Sequence, residues 1–289
     1  MIFMTGQYRN FWETWWNVVD LILLPNRARG MSIQLCLALD RQWKHHQCAW
    51  TDDDRQMFAI VLSSVWKGLG FEDHNLSIHW MDRENPYFRR AVASLERYVQ
   101  KGRLAPHWFE YLIHRSGSCI EYAQFATLYD WCTANDRSAD LLLRIRTDVL
   151  FRHTLHLAEP DLETATWQSV FADLVPAMAS FFRGTVQPEG REYSIDNDPA
   201  NGRWAITFRK NLIYLMPFDL ARIVADMILY YGDWDSADEN AFWFNAESQF
   251  RGCLRHHGFI VYEYSQICDE CFGSFDERFP LYAIQRRMR

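Results

Sequence analysis

Hydrophobic and polar positions alternate along this chain in blocks that switch between strand and helix periods. Met1 to Thr5 reads as an apolar run stopped by Gly6, the pattern of a strand buried on both faces. From Phe11 to Leu24, the residues Phe11, Trp15, Val18, Val19, Ile22 and Leu23 recur at helical spacing, and Pro25 and Asn26 read as the stop. Met31 to Leu39 predicts a second strand ending at Asp40. Residues 41–54 are polar and predict a loop carrying His45, His46 and Cys48. A helix from about Asp54 to Leu69 follows, with Asp52, Asp53 and Asp54 as cap candidates. Leu76 to Trp80 reads as a third strand. Pro86 to Val99 reads as an amphipathic helix with Tyr87, Ala91, Leu95 and Tyr98 on one side, and about Cys119 to Cys132 as another helix. Ala139 to Phe151 is the strongest strand signal in the chain. Beyond it the pattern predicts a helix over Leu162–Phe182, a Gly-, Pro-, Asn- and Asp-rich loop over Thr185–Arg203, and a strand over Trp204–Phe208. Helices over Phe218–Tyr231 and Asn240–His256 and a last strand over Phe259–Tyr264 complete the reading.

Strand–helix alternation over the first 150 or so residues argues for an α/β fold: a mostly parallel central sheet flanked by helices, with a decorated C-terminal half. The 289 residues read as a single domain. Apolar residues make up 49% and charged residues 23%, enough to bury a core and to exclude disorder as the main state. No run approaches the roughly 18 apolar residues of a membrane span, and no basic region precedes the short apolar start. Seven scattered cysteines make no disulfide framework. A cytoplasmic protein with reduced thiols is therefore expected. With 30 Lys and Arg against 37 Asp and Glu, the net charge of −7 argues against duplex nucleic acid as a partner.

Open α/β sheets bind ligands beyond the carboxyl ends of their strands, so the residues there are the candidates for chemistry. They are Thr5-Gly6-Gln7-Tyr8-Arg9 after the first strand, Asp40 after the second, and Arg146-Thr147-Asp148 in the strong strand. Arg209 and Lys210 follow the Trp204 strand, and an acidic stretch, Asp233 to Asn240, leads into an aromatic segment containing Trp243. Such a set suits a nucleotide diphosphate. Gly6 lets backbone approach a ligand, Arg9, Arg146, Arg209 and Lys210 supply cations, and Asp148 offers hard oxygen to a divalent metal. A carboxylate of the acidic stretch would deprotonate an acceptor hydroxyl, and Trp243 would stack on a sugar.

Gly6-Gln7-Tyr8-Arg9-Asn10-Phe11, Arg144-Ile145-Arg146-Thr147-Asp148-Val149-Leu150-Phe151 and Trp243-Phe244-Asn245-Ala246-Glu247-Ser248-Gln249-Phe250 together resemble GT-A-type glycosyltransferases, of the kind found in bacterial surface-glycan clusters and large DNA viruses. The resemblance implies a GT-A-like (Rossmann-like) fold, with a nucleotide-binding half over about 1–151 and an acceptor and catalytic half over about 152–289. It implies transfer of a monosaccharide from a UDP- or GDP-sugar to a hydroxyl of a glycan acceptor, assisted by Mn or Mg. Thr5, Gly6 and Arg9 would touch the nucleotide, and Asp40 would read its base or ribose. Arg209 or Lys210 would steady the leaving group. The family's Asp-x-Asp metal motif falls on Arg146-Thr147-Asp148, where Arg146 replaces the first Asp and Asp148 keeps the last. In inverting relatives a late carboxylate is the base; Asp238, Glu239 and Glu247 match, Asp238 first and Glu247 second.

Plainer readings stand beside these. Arg144 and Arg146 share a strand face and suit pairing with carboxylates. Asp235, Asp238 and Glu239 lie where a helix start favours acids. Cys268 and Cys271 form a Cys-x-x-Cys without a second pair, and His256 or His257 would complete a zinc or metal shell only from a distance in sequence. The rival functions are a nucleotidyltransferase-type enzyme and a non-catalytic carbohydrate- or protein-binding module using the aromatic residues.

Overall fold

A computed structural model describes residues 1–7, 11–40, 51–102, 104–114, 118–151, 154, 155, 157, 203–208, 213–226, 250, 253, 254, 257, 259–263 and 282–284. The strands are β1 (Ile2–Gln7), β2 (Leu35–Asp40), β3 (Leu76–Met81), β4 (Leu141–Arg146), β5 (Val149–Phe151), β6 (Trp204–Phe208), β7 (Ile213–Pro217), β8 (Ile260–Glu263) and β9 (Tyr282–Ile284). The helices are α1 (Phe11–Val18), α2 (Leu24–Ala28), α3 (Asp52–Gly68), α4 (Pro86–Gln100), α5 (Pro106–His114), α6 (Ser118–Ala134) and α7 (Arg222–Asp226).

Seven strands form one mixed sheet in the order β3-β2-β1-β4-β7-β6-β8, and β5 pairs with β9 in a second, two-stranded sheet. β3, β2, β1 and β4 run parallel; β7 runs antiparallel to both β4 and β6, and β8 is parallel to β6. β1 is the inner strand that the apolar run predicts. Ile2 and Met4 face one core, while Met1 and Phe3 face the other. The first core gathers α1, α2 and α3 against Leu35, Leu37, Leu39, Leu143 and Ile145. The second gathers α4, α5, α6 and α7 against Cys36, Ala38, Leu142, Tyr214 and Met216. Helices on both faces of a largely parallel sheet match the expected fold class.

The structure differs from the expected elements in four places, each for a local reason. The first helix does not stop at Pro25. A π turn over Val19–Leu23 precedes the proline, with the Leu24 N–H donating to the Val19 carbonyl, and helix α2 continues to Ala28. Pro25 cannot donate to the Leu21 carbonyl four residues back, and the Leu155 N–H takes that acceptor at 3.0 Å. Asn26, the other expected stop, is fully buried. Its amide donates to the Ile22 and Leu155 carbonyls, both at 2.7 Å, and its Oδ1 accepts from the Leu157 N–H at 2.7 Å.

The long strand of Ala139–Phe151 is two strands, β4 and β5, broken by a turn at Thr147 and Asp148. Helix α3 is capped by Thr51 rather than by an aspartate. The Thr51 hydroxyl accepts from the Asp54 N–H at 3.2 Å, and the Asp54 carboxylate accepts from the Thr51 N–H at 2.9 Å. Finally, α5, β7 and β9 are elements that the periodicity did not predict. The predicted helix at Leu162–Phe182 and the loop at Thr185–Arg203 lie outside the described residues, except Arg203 itself.

No helix among the described residues is long and apolar enough to cross a membrane.

Candidate functional site

The chain lays β2 and β3 on one side of β1 and returns to lay β4 on the other. Strand order thus reverses at β1, the kind of point beyond whose carboxyl ends open α/β sheets bind ligands; the chain leaving β1 and the chain leaving β4 both pass to the first core, where α1 packs against β5. The register places Thr5 beside Arg146, Gly6 beside Leu39, and Gln7 beside Asp40. Two segments about 140 residues apart in sequence, Thr5-Gly6 and Arg146-Thr147-Asp148, thus meet at one edge of the sheet.

Thr147 is the fastener. It is buried, its N–H donates to the Thr5 carbonyl at 3.1 Å, and its carbonyl accepts from the Thr14 hydroxyl of α1 at 2.6 Å. Gly6 lies directly against it. A Cβ built on Gly6 would come within 2.5 Å of Thr147 Oγ1, and the Gly6 φ of +143° is a conformation that side-chain-bearing residues rarely adopt. The Gly6 carbonyl accepts from Gln124 Nε2 of α6 at 3.1 Å.

Beneath this edge runs a buried polar row. Arg144, 1% exposed, donates from Nε to the Thr5 hydroxyl at 2.9 Å and pairs with Glu121 of α6 at 2.8 Å. Its guanidinium lies over the Tyr214 ring, 5.8 Å from the centroid. Tyr214 in turn packs on Phe250, with ring centroids 4.5 Å apart, and burial pushes its phenol well above the ordinary tyrosine range. Thr5 is fully buried, so its hydroxyl and carbonyl hold Arg144 and Thr147 in place rather than face a ligand.

At the rim, Arg146 and Asp148 form a bidentate pair. Arg146 Nε donates to Oδ1 at 2.9 Å and an Nη to Oδ2 at 2.7 Å. The Arg146 side chain is 31% exposed and that of Asp148 10%. Both carboxylate oxygens accept from one fork, the geometry that makes arginine the preferred partner of carboxylates and phosphates. A divalent metal at Asp148 would share its oxygens with the Arg146 guanidinium and meet that positive charge close by. No group of three or more His, Cys, Asp or Glu suited to a metal occurs among the described residues.

Of the remaining candidates, Asp40 ends β2 on the same sheet edge. Arg9, Arg209, Lys210, Asp238, Glu239, Glu247, Trp243, His256, Cys268 and Cys271 lie outside the described residues, as do His45, His46 and Cys48. His257 stands three residues before β8, whose Ile260 pairs with Trp204 at the start of β6. That is the amino edge of the parallel strands, opposite Asp148, so His257 does not complete a shell there. The residues that the sequence reading passed over are Glu121, Gln124, Thr14 and Tyr214. A buried arginine demands an acid from a neighbouring element, so Glu121, one of the two acids of α6, was the available signal.

No known protein family matches this chain, and no curated protein does. Among solved structures, the chain is similar to a crystal structure of a glycosyltransferase involved in the glycosylation of the major capsid of PBCV-1. The identity is 11%, over 63% of this chain and 77% of that one, with a TM-score of 0.26. A likeness that slight carries no weight here for fold or function.

Proposed function

We propose that this chain is a GT-A-like glycosyltransferase, moving a monosaccharide from a UDP- or GDP-sugar to a hydroxyl of a glycan acceptor. The observation that supports it most is the meeting of the Gly6 and Arg146-Thr147-Asp148 motifs at the point where strand order reverses between β1 and β4. Each motif was singled out from sequence on its own, and each corresponds to a nucleotide-contacting segment of that family. Phe250, the last residue of the third resembling segment, packs on the Tyr214 ring that lies under Arg144.

In this reading the diphosphate lies along the bare backbone of Gly6 and against Arg146, and Asp40 reads the base or ribose. The bond between the anomeric carbon and the phosphate oxygen breaks, and its electron pair leaves with the nucleoside diphosphate. The acceptor oxygen forms the new bond to that carbon. In an inverting enzyme the proton of the acceptor hydroxyl passes to a carboxylate of the C-terminal half, Asp238 first, with Glu247 and Glu239 as the others. Cationic and backbone N–H groups set in advance around the developing negative charge are the main source of rate in such a step.

The test is calorimetry with UDP, GDP and their sugars, followed by a transfer assay on glycan acceptors. Binding of a nucleoside diphosphate with release of free nucleoside diphosphate on transfer is the expected result. Release of pyrophosphate would point instead to a nucleotidyltransferase, and no heat with any of these nucleotides would contradict the proposal.

A further inference from the structure

We infer that Cys36 and Cys132 are a redox couple, which a hydroperoxide joins into a disulfide tying β2 to α6. Cys36 is the second residue of β2, and Cys132 lies in the last turn of α6, 96 residues further along the chain. Their sulfurs stand 3.8 Å apart inside the second core. A disulfide needs about 2.05 Å, so the two sulfurs must approach by roughly 1.7 Å between them, a movement that side-chain rotation supplies. The backbones on either side are held. Cys36 sits in the ladder between Phe3 of β1 and Ser77 of β3, and the Cys132 carbonyl accepts from the Arg137 N–H at 2.8 Å.

The two thiols differ in a way that gives each a role. Cys36 is 3% exposed and Cys132 is fully buried. The neighbouring Cys132 S–H favours a thiolate on Cys36 and holds its pKa below the ordinary thiol value, whereas Cys36 and burial push Cys132 well above it. The Cys36 thiolate is therefore the attacking group. It attacks one oxygen of hydrogen peroxide, the O–O bond breaks and hydroxide leaves, so that Cys36 carries a sulfenic acid. The Cys132 sulfur then attacks the Cys36 sulfur. The S–S bond forms, the sulfenic oxygen leaves as hydroxide, and the two thiol protons turn both hydroxides into water. Two electrons pass from the sulfurs to the peroxide. The competing reductant beside them is the Met1 thioether, which accepts from the Cys132 S–H at 3.4 Å. The first half of α6 carries Glu121 and Gln124, which hold Arg144 and Gly6, so the disulfide fastens to β2 the far end of the helix that braces that edge of the sheet.

The experiment treats the reduced full chain with equimolar hydrogen peroxide, alkylates it under denaturing conditions and maps the peptides by mass spectrometry without reduction. Thermal midpoints are taken before and after oxidation, and again after dithiothreitol, for the parent chain, Cys36→Ala and Cys132→Ala. The expected result is a peptide pair linked through Cys36 and Cys132, with the midpoint raised by roughly 5–15 °C in the parent alone and both changes reversed by dithiothreitol. In Cys132→Ala the sulfenic acid on Cys36 has no thiol to close on and is trapped by dimedone. Cys36 and Cys132 both still alkylated, with the oxygen on Met1 instead, would overturn the inference. A disulfide from either one to another of the chain's seven cysteines, or a Cys36–Cys132 link that leaves the midpoint unchanged, would also overturn it. The mapping is made on the parent chain, so it decides the matter even where a variant does not fold, and none of these outcomes depends on nucleotide binding.

Discussion

Gly6 is where one methyl group would do most harm. Its φ of +143° and the 2.5 Å approach of Thr147 Oγ1 leave no place for a Cβ, and the neighbour cannot yield without loosening the turn that carries Asp148. Gly6→Ala is expected to cost ~1–3 kcal/mol, read as a lower thermal midpoint, and to weaken nucleoside diphosphate binding beyond what lost stability explains. His79 of β3 makes a second prediction. Its ring packs edge-on to Trp131 at 5.0 Å, and its Nε2 is buried without a hydrogen-bond partner among the described residues. Burial holds its pKa below the ordinary 6.5. The unfolded chain therefore takes up this proton at a higher pH than the folded one. The stability is fully present above pH 6.5 and is lost as pH falls through the range below it. Urea midpoints taken above and below pH 6.5 should show this fall, and His79→Phe should reduce it.

At the scale of elements, the two helical segments around the π turn are tied to the chain after β5 by asparagines. Asn17 exchanges two bonds with the backbone of Phe151, at 2.7 and 2.5 Å, and Asn26 makes its three to Ile22, Leu155 and Leu157. Asn26→Ala would strand buried backbone groups on its three partners and should cost about 3 kcal/mol, seen as a lower urea midpoint without a change in slope. These ties also show why the sequence misleads there. Pro25 and Asn26 are stop signals by local rules, and the partners that reverse those rules are about 130 residues away. The break between β4 and β5 is hidden for the same reason, because Thr147 turns where Thr5 and Thr14 bind it and not where its own neighbours dictate. Helix α3 was legible because its period is local, although the cap lay one residue before the aspartates read as candidates. β7, a short apolar run of Ile213–Pro217, carries too few residues for its period to tell strand from helix. Of the site, the strand-end positions were readable, since an open sheet gathers its strand ends on one edge. A carboxylate partner for Arg146 was one reading of its strand face, but Asp148 was not named as that partner, because it was read as facing a ligand.

For the molecule as a whole, the decisive feature is the reversal of strand order at β1. It brings Gly6, Asp40, Arg146 and Asp148 to one edge and sets two cores, one on each face, to hold that edge still. The antiparallel β7 then extends the sheet through β6 and β8, and Phe208 at the end of β6 pairs with Ile213, itself opposite Ile145 of β4. β6 therefore ends on the same edge of the sheet as β4. The central claim is that a nucleoside diphosphate binds beyond the carboxyl ends of β1 and β4. A crystal structure of the chain with bound UDP or GDP tests it most directly. The account predicts phosphate oxygens bonded to Arg146 and packed against the Gly6 backbone, with Arg146 still paired to Asp148. A nucleotide bound elsewhere, with that edge of the sheet left untouched, would contradict it.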